Sequence, residues 1–128
     1  MTYQSKQMNI LLWIAQSIMA ASFIWAGAMK LFKPAEQLAL MWPWTAEHPL
    51  LVKFTGVLDI LAGIGLIVPT LLKIQPKLTV YTGYAAIGLM ISASIFHVAR
   101  GEAALIGINV FYAILAFFIA WGRNKQLR

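Results

Sequence analysis

The sequence predicts an all-α membrane protein, a bundle of four transmembrane helices with a short amphipathic segment between helices one and two. Composition is the first reason: of 128 residues 61% are hydrophobic and only 11% are charged, far from the mixture of a soluble globular domain. The second is the pattern, since long apolar runs recur along the chain and the charged residues collect in the gaps between them. The third is length. Four spans of about 20 residues consume nearly two thirds of such a chain, so residues 1–128 read as a single domain with little left for a soluble one.

The first span is expected over residues 8–29, a stretch without charge. At a helical rise of about 1.5 Å per residue it reaches roughly 33 Å, enough to cross the hydrocarbon core. Ala20, Ala21 and Ser22 are small enough for a signal-peptide cleavage site, but the apolar run continues past them to Leu31 instead of turning polar, so the segment is expected to remain as a helix. Lys30, Lys33 and Pro34 end it.

Residues 34–49 mix Glu36, Gln37 and Glu47 with Leu38, Leu40, Met41, Trp42 and Trp44. Pro34 suits the first position of a short helix, Pro43 would stop it, and paired tryptophans favour the headgroup zone. The stretch reads as an amphipathic helix lying on the membrane or as an ordinary loop broken by Pro43 and Pro49. The second span is expected over residues 50–72 with Asp59 as its one internal acid, the third over 78–99 with no charge before His97, and the fourth over 103–121. Arg123, Lys125 and Arg128 follow as a basic tail.

An even number of spans puts both termini on one side. Lys6, Lys73, Lys77, Arg123, Lys125 and Arg128 share that side without an acid, whereas Lys30, Lys33, Lys53 and Arg100 share the other with Glu36, Glu47 and Glu102. Because cytoplasmic loops are enriched in lysine and arginine, the termini are expected inside, in a bacterial inner membrane. The net charge of +6 does not point to nucleic acid, since the basic residues sit at helix ends and not in a patch interleaved with aromatics. Cysteine is absent, which excludes disulfides, thiol relays and thiolate metal sites.

Three- and four-residue steps place side chains on one helical face. They align Gln16, Ala20, Phe23, Gly27 and Lys30 on the first span and Gly56, Asp59 and Gly63 on the second. Gly83, Ala86, Met90, Ala93, His97 and Arg100 align on the third, and Leu105, Asn109, Tyr112 and Ala116 on the fourth. Small residues mark the close-packed face of a membrane helix, so these stripes should face inward and bring polar groups with them. Lys30, Asp59, His97 and Asn109 are therefore candidates for a polar or proton-carrying pocket in the outer half, with Arg100 and Glu102 as supporting ion pairs.

Each candidate has a plainer reading. An ionisable group within lipid is a functional hypothesis by default, but Asp59 paired with Lys30 or Arg100 would be a structural strut. Because imidazole as a group changes charge near neutral pH, His97 is a candidate proton carrier, yet a histidine at a helix end is more often an interfacial hydrogen-bonding group. Lys30, Arg100 and Glu102 are more often boundary and topology residues than ligands, and Trp13, Trp25 and Trp121 read as belt or packing aromatics. His48 and His97 make a weak pair of haem ligands. No phosphate loop, metal-spaced histidine pair or serine-nucleophile motif occurs, so neither a resident metal nor a catalytic residue is expected.

The run Phe23-Ile-Trp-Ala-Gly27-Ala-Met-Lys30-Leu-Phe, the run Gly56-Val-Leu-Asp59-Ile-Leu-Ala-Gly63-Ile-Gly-Leu, the segment His97-Val-Ala-Arg100-Gly-Glu102 and Asn109 together resemble the DoxX-like family of small four-helix membrane proteins. The resemblance covers nearly the whole chain, from Asn9 to Arg123, and departs from it at Asp59, where many relatives carry glutamate. It implies a link to thiosulfate and quinone redox chemistry, to oxidative-stress assemblies or to assistance of other membrane proteins. On that resemblance an accessory component of a membrane redox or stress-response assembly, holding a quinone or lipid headgroup, is the leading expectation. A small proton-coupled transporter acting as a homo-oligomer and a membrane scaffold are the alternatives.

Overall fold

The computed structural model describes residues 6–126, apart from the side chain of Leu105; Arg128 of the basic tail lies outside the described residues. Five α-helices follow one another: α1 (Lys6–Phe32), α2 (Ala35–Met41), α3 (Pro49–Leu72), α4 (Lys77–Ala99) and α5 (Gly107–Gln126), with 3-10 turns at Pro43–Ala46 and Ala103–Ile106. Three of them, α1, α3 and α4, are long and apolar enough to cross a membrane. The twenty residues of α5 end on a turn carrying Arg123 and Lys125.

The four long helices form a closed ring. α1 packs on α3, α3 on α4, α4 on α5 and α5 back on α1, each antiparallel to its neighbours. The centre is filled by Met19 and Phe23 of α1, Leu66 of α3, Met90 of α4 and Ile119 of α5, with alanines between them. Outward faces are apolar as well: Ile14, Phe54, Tyr84, Ile91, Phe111 and Phe117 are all exposed. A surface of that kind belongs in lipid, where the helices satisfy their own backbone groups and the outer side chains meet acyl chains.

The inward stripes hold in part. Gln16, Ala20, Phe23 and Gly27 are buried on α1, Gly56, Asp59 and Gly63 on α3, Gly83, Ala86 and Met90 on α4, and Ala116 on α5, whereas Lys30, Ala93, His97, Arg100, Asn109 and Tyr112 are half-buried and the expected Leu105 side chain lies outside the described ones. Residues 34–49 contain a seven-residue helix followed by a 3-10 turn and are not an irregular loop; Leu38 is buried, while Glu36, Gln37 and Leu40 are exposed. Pro34 stands just before that helix as its extended cap, and Pro43 opens the 3-10 turn.

The last helix departs from expectation. It begins with a 3-10 turn and then continues five residues beyond 121, to Gln126. Gly122 is not a stop. A Cβ there would lie 2.5 Å from Leu12 Cδ2, so the glycine lets α5 lie against α1, and the helix runs on through Arg123. That residue is carried into the bundle and is buried, a correction to its reading as part of a basic tail that follows the last span.

Candidate functional site

Two charged clusters and an aromatic layer occupy the end of the bundle where α1 and α4 finish and α3 begins. The first cluster depends on close approach of α1 and α3. A Cβ on Gly27 would meet Gly56 O and Ile60 Cγ1 at 2.6 Å, and only glycine allows the two backbones to lie so near. One turn further along each helix, Lys30 Nζ reaches Asp59 Oδ2 at 2.8 Å, with side chains 13% and 8% exposed. Thr55 Oγ1 lies 3.3 Å from the same ammonium. Lys53 donates to Lys30 O at 3.2 Å and Leu31 O at 3.0 Å, placing positive charge on the carbonyls that end α1, where the helix dipole favours it. The rings of Trp44 and Trp42 have their centroids 5.6 Å and 5.9 Å from Lys30 Nζ.

The second cluster is built at the corner between α4 and α5. Gly101 adopts φ +78, a backbone state that glycine enters without steric cost, and the chain doubles back so that the Glu102 N–H donates to His97 O at 2.8 Å. Glu102 Oε1 then lies 2.9 Å from His97 Nδ1 and 3.1 Å from Arg100 Nε. Hydrogen bonds from His97 and then Arg100 hold the Glu102 carboxyl below its ordinary range. An ionised carboxylate only accepts, so in this contact His97 Nδ1 is the donor. Arg100 Nη1 also reaches Glu47 Oε1 at 3.2 Å, although that carboxylate is largely exposed and the bridge is correspondingly weak.

Aromatic edges join the clusters. Phe96 packs edge-on against Trp44 at 5.5 Å, His48 at 5.4 Å and His97 at 5.6 Å between centroids. Trp44 therefore touches both halves, lying near Lys30 on one side and against Phe96 on the other. Trp25 of α1 meets Trp42 at 6.0 Å, so the segment between α1 and α3 is fastened over the end of the bundle by rings and by the Arg100–Glu47 bridge.

Lys30 and Asp59 thus stand together, and His97, Arg100 and Glu102 stand together. Of the two partners considered for Asp59, Lys30 takes the position and Arg100 pairs with glutamates instead. Asn109 belongs to neither cluster. It lines a groove of about 380 Å³ between α4 and α5, with Met90, Ser94, Ala113 and Phe117. Among the described residues no group of three histidine, aspartate or glutamate side chains is suited to a metal ion.

Sequence reasoning did not assign partners to Trp44, Phe96, Thr55 or Glu47, whose roles depend on which elements meet. A further polar cluster at the opposite end was also missed. There Arg123, 4% exposed, donates from Nε to Gln16 Oε1 at 2.6 Å and from Nη1 to Asn9 Oδ1 at 2.8 Å and Gln126 Oε1 at 2.7 Å. Gln16 in turn donates to Leu66 O. The signal was present: continuing the inward stripe of α5 from Ala116 by helical steps through Ile119 or Ala120 arrives at Arg123.

A family model described as the DoxX-like family matches residues 14–119, most of the chain. Comparison with curated proteins and with solved structures finds no match.

Proposed function

The chain belongs to the DoxX-like family, and from that premise we propose that it is an accessory protein of a redox or stress-response assembly in the bacterial inner membrane, holding a quinone or lipid headgroup in the outer half of the bundle. In this reading α5 is the fourth span. The basic residues Lys73, Lys77, Arg123 and Lys125 then share one side with the termini, and that side is cytoplasmic.

The observation that carries the reading is the joining of two charged clusters through Trp44 and Phe96. Flat rings beside an ammonium and an imidazole suit a planar, polar head: the rings supply stacking, Lys30 and His97 supply the polar contacts, and Asp59 and Glu102 hold those two groups in position. The α4–α5 groove is lined mostly by apolar side chains, with Asn109 as its carboxamide, and suits an isoprenoid or acyl tail. A bound quinone would supply the electron chemistry, and the protein's share is binding, orientation and the placing of protons.

The test is quinone content. Protein purified with its native lipids should retain quinone, and Asp59→Asn combined with His97→Ala should lower the retained amount about tenfold, as expected when charge-assisted contacts are lost. Protein that carries no quinone or headgroup lipid, together with full rescue of a deletion strain by the double variant, would sink the proposal.

A further inference from the structure

The buried arginine at the other end of the bundle is not used by the site above. Arg123 is a full cation surrounded by neutral amides: Gln16, Asn9 and Gln126 accept its hydrogen bonds, and Trp13 lies 5.2 Å from the guanidinium carbon. Its second terminal nitrogen, Nη2, is buried and has no hydrogen-bond partner among the described residues. The chain has four acidic side chains, Glu36, Glu47, Asp59 and Glu102. Asp59 and Glu102 lie in the clusters at the far end, Glu47 is bonded to Arg100 there, and Glu36 belongs to α2 beside them. Among the described residues Arg123 therefore has no acidic partner; a buried cation without a counter-ion is costly, and the guanidinium fork presents two parallel N–H groups that match a phosphate bidentately.

We propose that Arg123 anchors a phosphate oxyanion at the basic end of the bundle, supplied by the headgroup of an anionic phospholipid. Gln126 is the residue that yields. It stands on the final turn of α5, is partly exposed, and its carboxamide oxygen occupies the place on Nη1 that a phosphate oxygen would take. When that side chain turns outward, a place on Nη1 is freed next to the unpartnered Nη2, while Gln16 and Asn9 keep the guanidinium in place. Lys125, whose ammonium rests 4.8 Å from the centre of the Trp121 ring, adds positive charge to the same end of α5 on a different face of the helix.

The experiment is native mass spectrometry of the full chain in neutral detergent with equal amounts of phosphatidylglycerol and phosphatidylcholine. Wild-type protein should retain phosphatidylglycerol about tenfold over phosphatidylcholine, and Arg123→Gln should abolish the preference. Because loss of a buried arginine can unfold the bundle, Gln126→Glu is the second variant. It supplies an internal carboxylate, and should raise the melting temperature while removing the preference. Inorganic phosphate added without lipid distinguishes the sources: wild-type melting that rises with phosphate, and lipid that phosphate displaces, make a soluble phosphate the ligand of the same site. Equal retention of both lipids with no thermal response to phosphate overturns the site, as does a folded Gln126→Glu protein that keeps the preference. Quinone retention unchanged in these variants would keep the two ends of the molecule separate.

Discussion

At the scale of single residues, Lys30 and Asp59 show how a lipid-facing sequence tolerates charge. Each alone in the low-dielectric interior would be costly, and their contact at 2.8 Å converts two liabilities into one neutral unit. Removal of either partner leaves the other uncompensated. Asp59→Asn or Lys30→Met alone should therefore lower stability by about 3–5 kcal/mol, whereas the double variant should lose clearly less than the sum of the two. Thermal unfolding of all four proteins in one detergent measures the coupling, and strictly additive losses would show that the pair is not an energetic unit. The candidates Lys30, Asp59, His97, Arg100 and Glu102 were legible in the sequence because charge inside or at the end of an apolar run stands out. Trp44, Phe96 and Glu47 were not, since aromatics and acids at a membrane boundary are common and their partners come from distant segments.

Among the elements, the α1–α3 contact governs the site. Gly27 sits against the Gly56 carbonyl, with backbone in the way of any added side chain. Gly27→Val should force the two helices apart, cost about 1–3 kcal/mol as overpacking does, and separate Lys30 from Asp59. If the two positions are probed by crosslinking between cysteines placed at Ala26 and Ile60, the yield should fall in the variant while that between α4 and α5 persists. An unchanged yield would mean that the helices accommodate the larger residue without moving. Gly122 plays a similar part between α1 and α5. It is the point where Leu12 enters, and the helix continues past it to place Arg123 among Asn9, Gln16 and Gln126.

For the whole molecule, the ring of four long helices has chemically different ends. One end gathers paired acids and bases under aromatic rings, and the other holds cations among amides. The four-span topology proposed above makes a direct prediction on a chain that has no natural cysteine. In intact cells, a cysteine introduced at Ala46 should react with a membrane-impermeant maleimide, and cysteines at Gln75 or Asn124 should react only after permeabilisation. Labelling of Asn124→Cys from outside, with Gln75→Cys protected, would reduce the spans to three. By itself the sequence determined the long apolar helices, much of their inward stripes and the polar residues within the apolar runs, because apolar run length and helical periodicity are local properties of the chain. Only the tertiary structure decided which charge neutralises which, how Trp44 links the two clusters, and that Arg123 is buried. Those outcomes depend on close approach between helices far apart in sequence, and small residues permit such approach without specifying the partner.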